Sequence, residues 1–555
     1  MKTTATVARL GICLVLAFAC NPLDLGPKDQ LSDPSFWKSP DQFELAANDF
    51  YFSLQGPNYT EINSDIAFGA SGIPNPPPDF RSVSNGSYLA PANSSVWDIA
   101  YTGIRATNYL LQKAVESGLG AQIDRWVGEA RFFRAYHYWN LVKTYGGVPL
   151  ITKVLDVTSP EVYTPRSTQQ QIIDFIMGDL DTAAAKLVKQ SQLDPSELGR
   201  VTQGAALALK ARAALYQGTW LKYHAEGDPT AMLTHVINAA QQLIASNEYQ
   251  LYTDSGPKSY KYLFILEGDD SKEVILAKRY WAARATHNWT RELWFNYMIP
   301  TKKLADMYLA TDGLPITSSP LFKGYDSLTS EFQNRDPRMA MTFVVPGSDV
   351  FQESGFNPVV PGFTGSSATR TGYMIRKFLD ETFEAAHFAG QYDFKEFRYG
   401  EVLLILAEAL FERDGTISDA TLNGTINLLR ARVGMPALTN AFVSGNGLNM
   451  LTEIRRERTV ELAFEGFRRV DLRRWNTAET EMPQALEGVK FVGTEWQARN
   501  PTLVVGTDIQ VDANGFVVAE AAASRHFVVP KHYLDPIPLQ QVQLSHGTLT
   551  QNPGW

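Results

Sequence analysis

The chain has 555 residues, of which 44% are hydrophobic and 12% aromatic, so it is long enough to bury a large core or two domains. Its formal net charge is −9, which argues against a nucleic-acid partner because no basic excess is available for phosphates. It contains only two cysteines, Cys13 and Cys20.

The first twenty residues predict export. Two basic residues precede a short apolar run at 10–19, which suits a secretory signal and is too short to span a bilayer. The run ends at Cys20, the only cysteine that remains once residues 1–19 are removed. We interpret Cys20 as the lipidated first residue of a bacterial lipoprotein, anchored by its acyl chains. The alternative is ordinary cleavage after Ala19, which leaves a free thiol.

From residue 20 to about residue 250 the apolar spacing is mostly helical. A helix is predicted at 41–54, followed by a long excursion rich in Gly, Pro and Ser at 56–95, and such long loops are usually functional or disordered. Apolar faces then predict further helices at 97–111, 123–137, 172–187, 205–215 and 230–246. Repeated helical pairs indicate a tetratricopeptide-like solenoid, although no strict 34-residue period is present.

The pattern changes in residues 251–396, where Pro and Gly are frequent. A strand is predicted at 273–281, and six aromatic residues lie within the eighteen positions from 280 to 297, called the aromatic segment below. Aromatic faces bind the apolar side of a sugar ring while polar neighbours bind its hydroxyls, so the segment is a candidate sugar-binding platform. The other interpretation is a small core beneath long loops.

Helices return at 397–413 and 422–433, before the most charged part of the chain, residues 451–475, called the charged stretch below. Between residues 453 and 474 it has seven arginines, four glutamates and one aspartate. An apolar face that includes Phe467 predicts a helix, and Gly466 is placed where the C-terminus of a helix favours a residue with left-handed backbone. On that helix three glutamates, Glu457, Glu461 and Glu465, form one acidic stripe, which requires arginines from elsewhere in the chain.

Catalytic motifs are missing from the sequence. It has no H-E-x-x-H, Walker A loop, G-x-S-x-G or C-x-x-C motif, and its eight histidines are scattered. The glutamates of the charged stretch can be read as paired catalytic carboxylates, but nearby arginines lower the pKa of a carboxyl group and make it a poor general acid. We therefore expect no enzyme activity, no cofactor and no metal cluster, although calcium sites leave little trace in a sequence.

Seven segments, in chain order, carry a resemblance to a known family. They are CNPLDLGPKDQ at Cys20, EARFFRAYHYWNLVKTYGGVPL from Glu129, GAALALKARAALYQG from Gly204, FRYGEVLLILAEALFE from Phe397, INLLRARVGMPAL from Ile426, ERTVELAFEGFRRVDLRRW from Glu457, and YLDPIPLQQVQLSHGTLTQNPGW from Tyr533. Together they resemble the SusD/RagB family of outer-membrane nutrient-binding lipoproteins. Phe411 stands where the family usually has an asparagine, and the lipobox before Cys20 is loose.

The resemblance implies a mostly α, SusD-like fold with four tetratricopeptide-like units and an irregular, loop-rich region with a few short strands. The implied organisation is a signal peptide at 1–19, helical pairs at 20–250, an irregular ligand-binding region at 251–396 and a C-terminal region at 397–555 that completes the scaffold. It also implies a lipid-anchored protein on the extracellular face of the outer membrane.

The resemblance further implies that the protein binds oligosaccharides and delivers them to a SusC-like TonB-dependent transporter without catalysis. Because the family's aromatic ligand surface varies, only the regions 59–93 and 280–297 are mapped here. The ligand contacts predicted from clustering are Phe80, Tyr88, Trp281, Trp289, Trp294 and Tyr297. The alternatives are capture of a peptide or another non-sugar nutrient and, third, a surface glycosidase.

Overall fold

The computed structural model describes residues 33, 35–69, 81–348, 350, 360–364, 368–381 and 389–555. The predictions for residues 1–19, Cys20 and Phe80 lie outside these residues.

Long helices form where apolar residues recur at helical spacing. They are α1 Pro40–Asn48, α2 Ser95–Ser117, α3 Asp124–Tyr145, α4 Gln169–Lys186, α5 Gln203–Tyr223, α6 Thr230–Ala245, α7 Tyr399–Asp414, α8 Ile426–Arg432, α9 Met450–Glu461 and α10 Arg468–Arg474. Thr168 begins α4 with a reciprocal capping box to Gln171. Gly118 and Gly415, both left-handed, end α2 and α7.

Helices that follow each other in the chain also pack against each other. Contacts join α2 to α3, α3 to α4, α4 to α5 and α5 to α6, and α7 then packs against α6 and α9. The alanines of α5, among them Ala205, Ala208 and Ala211, are buried and let neighbouring helices approach closely. This stack confirms the predicted helical scaffold. Among the helices that the structure describes, none combines the length and apolar character required to cross a bilayer.

The strands are short and pair locally. They are β1 Ala67–Gly69, β2 Val274–Lys278, β3 Met298–Pro300, β4 Phe394–Arg398, β5 Leu486–Lys490 and β6 Phe516–Glu520. Antiparallel pairs form between β1 and β3, between β2 and β4, and between β5 and β6. The short helices are Ser82–Asn85, Ser259–Tyr262, Trp289–Trp294, Lys302–Met307, Pro337–Thr342, Asp419–Asn423, Asn440–Gly445, Ala478–Glu481, Glu495–Arg499 and Leu539–Leu544.

Two large hydrophobic cores fill the described part of the chain. The first lies among the long helices, and the second lies beneath the irregular region around residues 252–394. The charged stretch contributes to both cores, since Ile454 and Leu462 belong to the first while Val460 and Phe464 belong to the second. It therefore joins the helical scaffold to the irregular region.

The helix of the charged stretch is shorter than the apolar spacing predicts. Instead of continuing to Phe467, α9 ends at Glu461, and α10 begins at Arg468. The backbone between them is left-handed at Phe464, with φ of 64°, and at Gly466, with φ of 84°. Left-handed residues break the right-handed ladder of helical hydrogen bonds, so the helix predicted from the apolar face is too long, whereas the left-handed backbone predicted at Gly466 is confirmed.

Basic residues from distant segments neutralise the acidic stripe, as the sequence requires. Glu457 pairs with Arg338 and Arg430, Glu461 with Arg338, Arg398 and Arg432, and Glu465 with Arg398 and Lys377, all at N–O distances of 2.6–3.0 Å. Burial alone would raise the pKa of Glu461, but the surrounding arginines outweigh it and hold that pKa well below its usual range. The stripe is a structural ion network and not a general acid.

Candidate ligand-binding surface

The aromatic segment begins where β2 ends. The Tyr280 N–H donates a hydrogen bond of 2.8 Å to Oδ1 of Asp393, which precedes β4. Trp281 and Ala285 then pair across a tight turn, with the Trp281 N–H donating to the Ala285 carbonyl at 2.9 Å. This turn leaves Trp281 48% exposed, so its ring is accessible to a ligand.

Charged residues hold the turn from beneath. Arg279 Nε lies 2.9 Å from Asp393 Oδ2, and Lys395 Nζ lies 2.5 Å from Asp269 Oδ1. Burial, followed by the neighbouring Asp269, raises the pKa of Asp393 to about 7. Because Asp393 is only 2% exposed and ion-paired, this carboxylate pair supports the turn and does not present an acid to a substrate.

His287 connects the turn to the short helix that follows it. Its ring lies 4.8 Å from the Tyr280 ring, and its Nδ1 accepts a hydrogen bond of 3.2 Å from the Trp289 N–H. Its Nε2 lies 3.0 Å from the Tyr392 carbonyl, so it donates there. Burial lowers the pKa of His287 to about 4, which keeps the imidazole neutral at neutral pH.

Tyr59, from the loop before β1, covers the other side of the segment. Its hydroxyl donates to Oε2 of Glu292, and its ring lies 5.0 Å from the Trp289 ring. Burial and the bond to Glu292 raise the pKa of Tyr59 far above its usual value, so the hydroxyl stays protonated. Tyr59 lies inside the predicted region 59–93, which is thereby brought into contact with the aromatic segment.

The predicted contact residues differ in accessibility. Trp281 is exposed, and Trp294 and Tyr297 are partly buried, with the Tyr297 ring stacked 6.1 Å from the Phe295 ring. Trp289 is only 2% exposed and fills the second core. Three of the predicted rings therefore reach the surface near one another in sequence, and Trp289 supports them from inside.

Tyr88 packs against the C-terminal end of the chain. Its ring lies 4.7 Å from the Trp555 ring, and its hydroxyl donates a 3.1 Å hydrogen bond to Oδ1 of Asp535. Tyr88 is 5% exposed. In this conformation its ring anchors the C-terminal segment and does not offer a face to a ligand.

Polar side chains stand between the accessible rings. Arg284 and Asn288 are exposed, and Arg291 and Glu292 are partly buried, with the Arg291 guanidinium 4.8 Å from the Phe295 ring centre. Reasoning from aromatic clustering missed these four residues, although they lie within the same eighteen positions. Ring faces flanked by hydrogen-bonding groups suit a polyhydroxylated ligand. No group of three or more His, Cys, Asp or Glu in the described ranges is placed to hold a metal ion.

Two family models match the chain. One is described as the SusD family and matches residues 255–555, and the other is described as starch-binding associating with outer membrane and matches residues 81–215. The first match covers more than half of the chain. The chain therefore belongs to the SusD family.

Similar proteins agree with this assignment. A SusD-like protein of Formosa agariphila is 29% identical over 272 residues, 46% of this chain and about half, 49%, of that protein. A second one from the same organism is 22% identical over 83% of this chain and 89% of its own length.

Solved structures share the fold over most of their length. A SusD-like carbohydrate binding protein from Bacteroides fragilis has a TM-score of 0.76 and 25% identity, covering 93% of this chain and 99% of its own. A laminarin binding SusD-like protein has a TM-score of 0.59 and 22% identity, covering 93% and 99%. They confirm the mostly helical, SusD-like fold.

Proposed function

We propose that this protein is a cell-surface lipoprotein that binds oligosaccharides or polysaccharide fragments and delivers them to a SusC-like TonB-dependent outer-membrane transporter without cleaving them. The observation that carries the proposal is the accessible Trp281 on its braced turn, with Trp294 and Tyr297 in the same segment. Family membership supports it, as do relatives whose names record carbohydrate or laminarin binding.

Two alternatives keep the same architecture. A peptide-binding protein would use a charged pocket more than an aromatic surface, and the rings around Trp281 favour the sugar. A surface glycosidase requires a pair of accessible carboxylates beside the bound sugar. In the carboxylate pair nearest Trp281 in the hydrogen-bond network, Asp393 is buried and bound to Arg279, while Asp269 is partly buried and bound to Lys395. This arrangement disfavours the enzyme.

Replacing Trp281 with alanine tests the proposed surface. Since a stacked ring is worth about 1–1.5 kcal/mol, Trp281→Ala is expected to weaken oligosaccharide binding by about tenfold. The measurement is titration calorimetry with an oligosaccharide selected from a panel of neutral and acidic polysaccharide fragments. Phe52→Ala, at an 81% exposed aromatic outside the segment, is the matched control and should bind normally.

Two results contradict these proposals separately. Unchanged affinity in Trp281→Ala moves the binding site away from the aromatic segment. Release of reducing ends from the same oligosaccharide during incubation with the wild-type protein would instead show that the protein is an enzyme.

A further inference from the structure

A polar cavity of about 60 Å³ lies where the helical scaffold meets the irregular region. Its walls come from α3, α5, α7, β4 and the turn between α9 and α10. A cavity needs about 10–15 Å³ of such space to hold one water, so this cavity has room for roughly four waters or for one small oxyanion. More than half of the lining residues are charged or polar, so the cavity is suited to a polar occupant.

The acidic residues of the lining already have basic partners. Glu401 pairs with Arg212 at 2.7 Å, Glu465 with Arg398 at 2.7 Å, Asp471 with Arg458 at 2.8 Å and with Arg474 at 2.8 Å, and Glu396 lies 3.5 Å from Arg212. Their charges are therefore compensated from within the protein.

Lys143 of α3 has no such partner. Its ammonium group makes no hydrogen bond or ion pair with the residues described by the structure. The Lys143 Nζ lies 5.9 Å from the Trp139 ring centre. Burial lowers the pKa of Lys143 to about 8, with Glu396 opposing this effect and Arg212 adding to it. At neutral pH the ammonium group remains mostly protonated, so the lining, with six basic and four acidic side chains, carries an excess of positive charge.

Arg458 of α9 supplies a second donor without an acceptor. It is 3% exposed and its Nε donates to Asp471 at 2.8 Å, but its Nη1 has no hydrogen-bond partner among the described residues. A buried donor left without an acceptor destabilises the folded protein. An acceptor bound in the cavity would remove that cost.

The cavity borders the aromatic segment. Gln55, which is exposed, contributes to its lining. The next residue, Gly56, is so close to Tyr280 that a Cβ there would lie 2.3 Å from the Tyr280 hydroxyl oxygen. Tyr280 belongs to the aromatic segment, so this close contact joins the segment to the chain that lines the cavity.

We propose that this cavity binds an oxyanion, a carboxylate, sulfate or phosphate group, held by Lys143 Nζ and Arg458 Nη1. The packing of Gly56, next to the lining residue Gln55, on Tyr280 of the aromatic segment assigns that oxyanion to the ligand itself, as the acidic group of a uronate- or sulfate-bearing sugar. This second statement rests on the proposed function, whereas the oxyanion site does not.

Inorganic sulfate is the probe for the site. At constant ionic strength maintained with sodium chloride, sulfate should bind the wild-type protein in calorimetry, and Lys143→Met should weaken that binding at least tenfold. Without sulfate, Lys143→Met should unfold at a temperature close to that of the wild type, because the partly buried Lys143 ammonium group makes no hydrogen bond or ion pair with the described residues, and this separates lost binding from misfolding. Lys323→Met, at an exposed lysine outside the lining, is the control. Equal sulfate affinity in wild type and Lys143→Met, or none in the wild type, overturns the proposal.

Sulfated oligosaccharides and their chemically desulfated counterparts then identify the source of the anion. The acidic-sugar assignment predicts at least tenfold tighter binding of the sulfated form by the wild type, and loss of that preference in Lys143→Met. If the wild type binds both oligosaccharides with equal affinity and still binds inorganic sulfate, the acidic-sugar assignment is overturned and the occupant is a free anion. Binding of neither form, with sulfate still bound, contradicts the proposed glycan function but not the oxyanion site.

Discussion

Glu331 is a buried carboxyl group whose protonation couples folding to pH. It is 4% exposed, and its Oε1 accepts a 2.7 Å hydrogen bond from the Tyr373 hydroxyl. Burial raises the pKa of Glu331 to about 7, against the opposing effect of that hydrogen bond. The folded state therefore holds this proton more tightly than the unfolded chain. The resulting stabilisation is complete below about pH 4.5 and is lost as the pH rises to about 7.

Glu331→Gln should remove this contribution to the pH dependence. A shift in the pKa of Glu331 from 4.5 to about 7 corresponds to about 3 kcal/mol. Between pH 4.5 and pH 8 the wild type loses this stabilisation and the variant does not, so the unfolding free energy of the variant minus that of the wild type should rise by about 3 kcal/mol. Urea unfolding at both pH values measures it. Glu267→Gln, at an exposed glutamate, is the control. A difference between variant and wild type that is independent of pH would show that Glu331 titrates normally.

Single residues also show how far the sequence predicts the accessibility of the proposed binding surface. Trp281 and Trp289 belong to the same cluster, yet one is 48% exposed and the other 2%. The difference arises from long-range contacts, because Tyr59 packs on Trp289 from more than two hundred positions away. Clustering of aromatic residues therefore located the segment, while which of its rings are accessible depends on tertiary packing.

The element with the most concentrated charge is α9 with the turn that follows it. Glu461 lies at the centre of its ion network and is fully buried. Three arginines, each contributed by a different segment, point their guanidinium groups at this one carboxylate. Removal of a partner from such a network leaves buried charge uncompensated, which costs more than the loss of an exposed ion pair.

Glu461→Gln should therefore destabilise the protein by about 3–5 kcal/mol. The matched control is Glu495→Gln, which breaks a solvent-accessible pair with Arg499 and should change stability far less, because water screens exposed charges. Denaturant unfolding monitored by tryptophan fluorescence compares the two variants. Similar small effects in both would mean that the buried network contributes little to stability.

For α9 and the turn that follows it, the sequence predicts the pairing of charged residues better than the length of the helix. The spacing of the glutamates correctly indicated a stripe that needs distant arginines, because side chains four residues apart share a helix face. The spacing of the apolar residues wrongly extended the helix. The apolar residues after Glu461 pack into two different cores, and the backbone between the two helices is left-handed at Phe464. Periodicity does not reveal that change of direction.

For the whole molecule, the helical scaffold was predictable because long amphipathic segments define it. The predicted helices at 123–137, 172–187 and 230–246 lie in α3, α4 and α6 except for one terminal residue of each prediction. The irregular region was not predictable in detail, since its strands pair segments that are far apart in sequence, as β2 with β4. The proposed division at residues 250 and 396 stays a prediction.

The proposed membrane attachment concerns the whole chain and depends on Cys20. If the cysteine carries the lipid anchor, Cys20→Ala should release the protein from the membrane fraction of expressing cells into the soluble fraction. The acyl chains, at about 0.8 kcal/mol for each buried CH₂, supply the binding energy that the variant lacks. Immunoblotting of separated fractions measures this, with Cys13→Ala as the control. Retention of Cys20→Ala in the membrane would contradict the anchor, and co-purification of the wild-type protein with a β-barrel would support the transporter partner.

The placement of α9 between two cores has a practical consequence for finding the ligand. Ile454 and Val460, less than two helical turns apart, belong to different cores, so neither core can melt without loosening the other. A compound that binds only the folded form raises the melting temperature of every region that unfolds together with its site. A fluorescence melting screen of polysaccharide fragments will therefore register a ligand at the aromatic segment even when the reporting tryptophans lie in the helical scaffold.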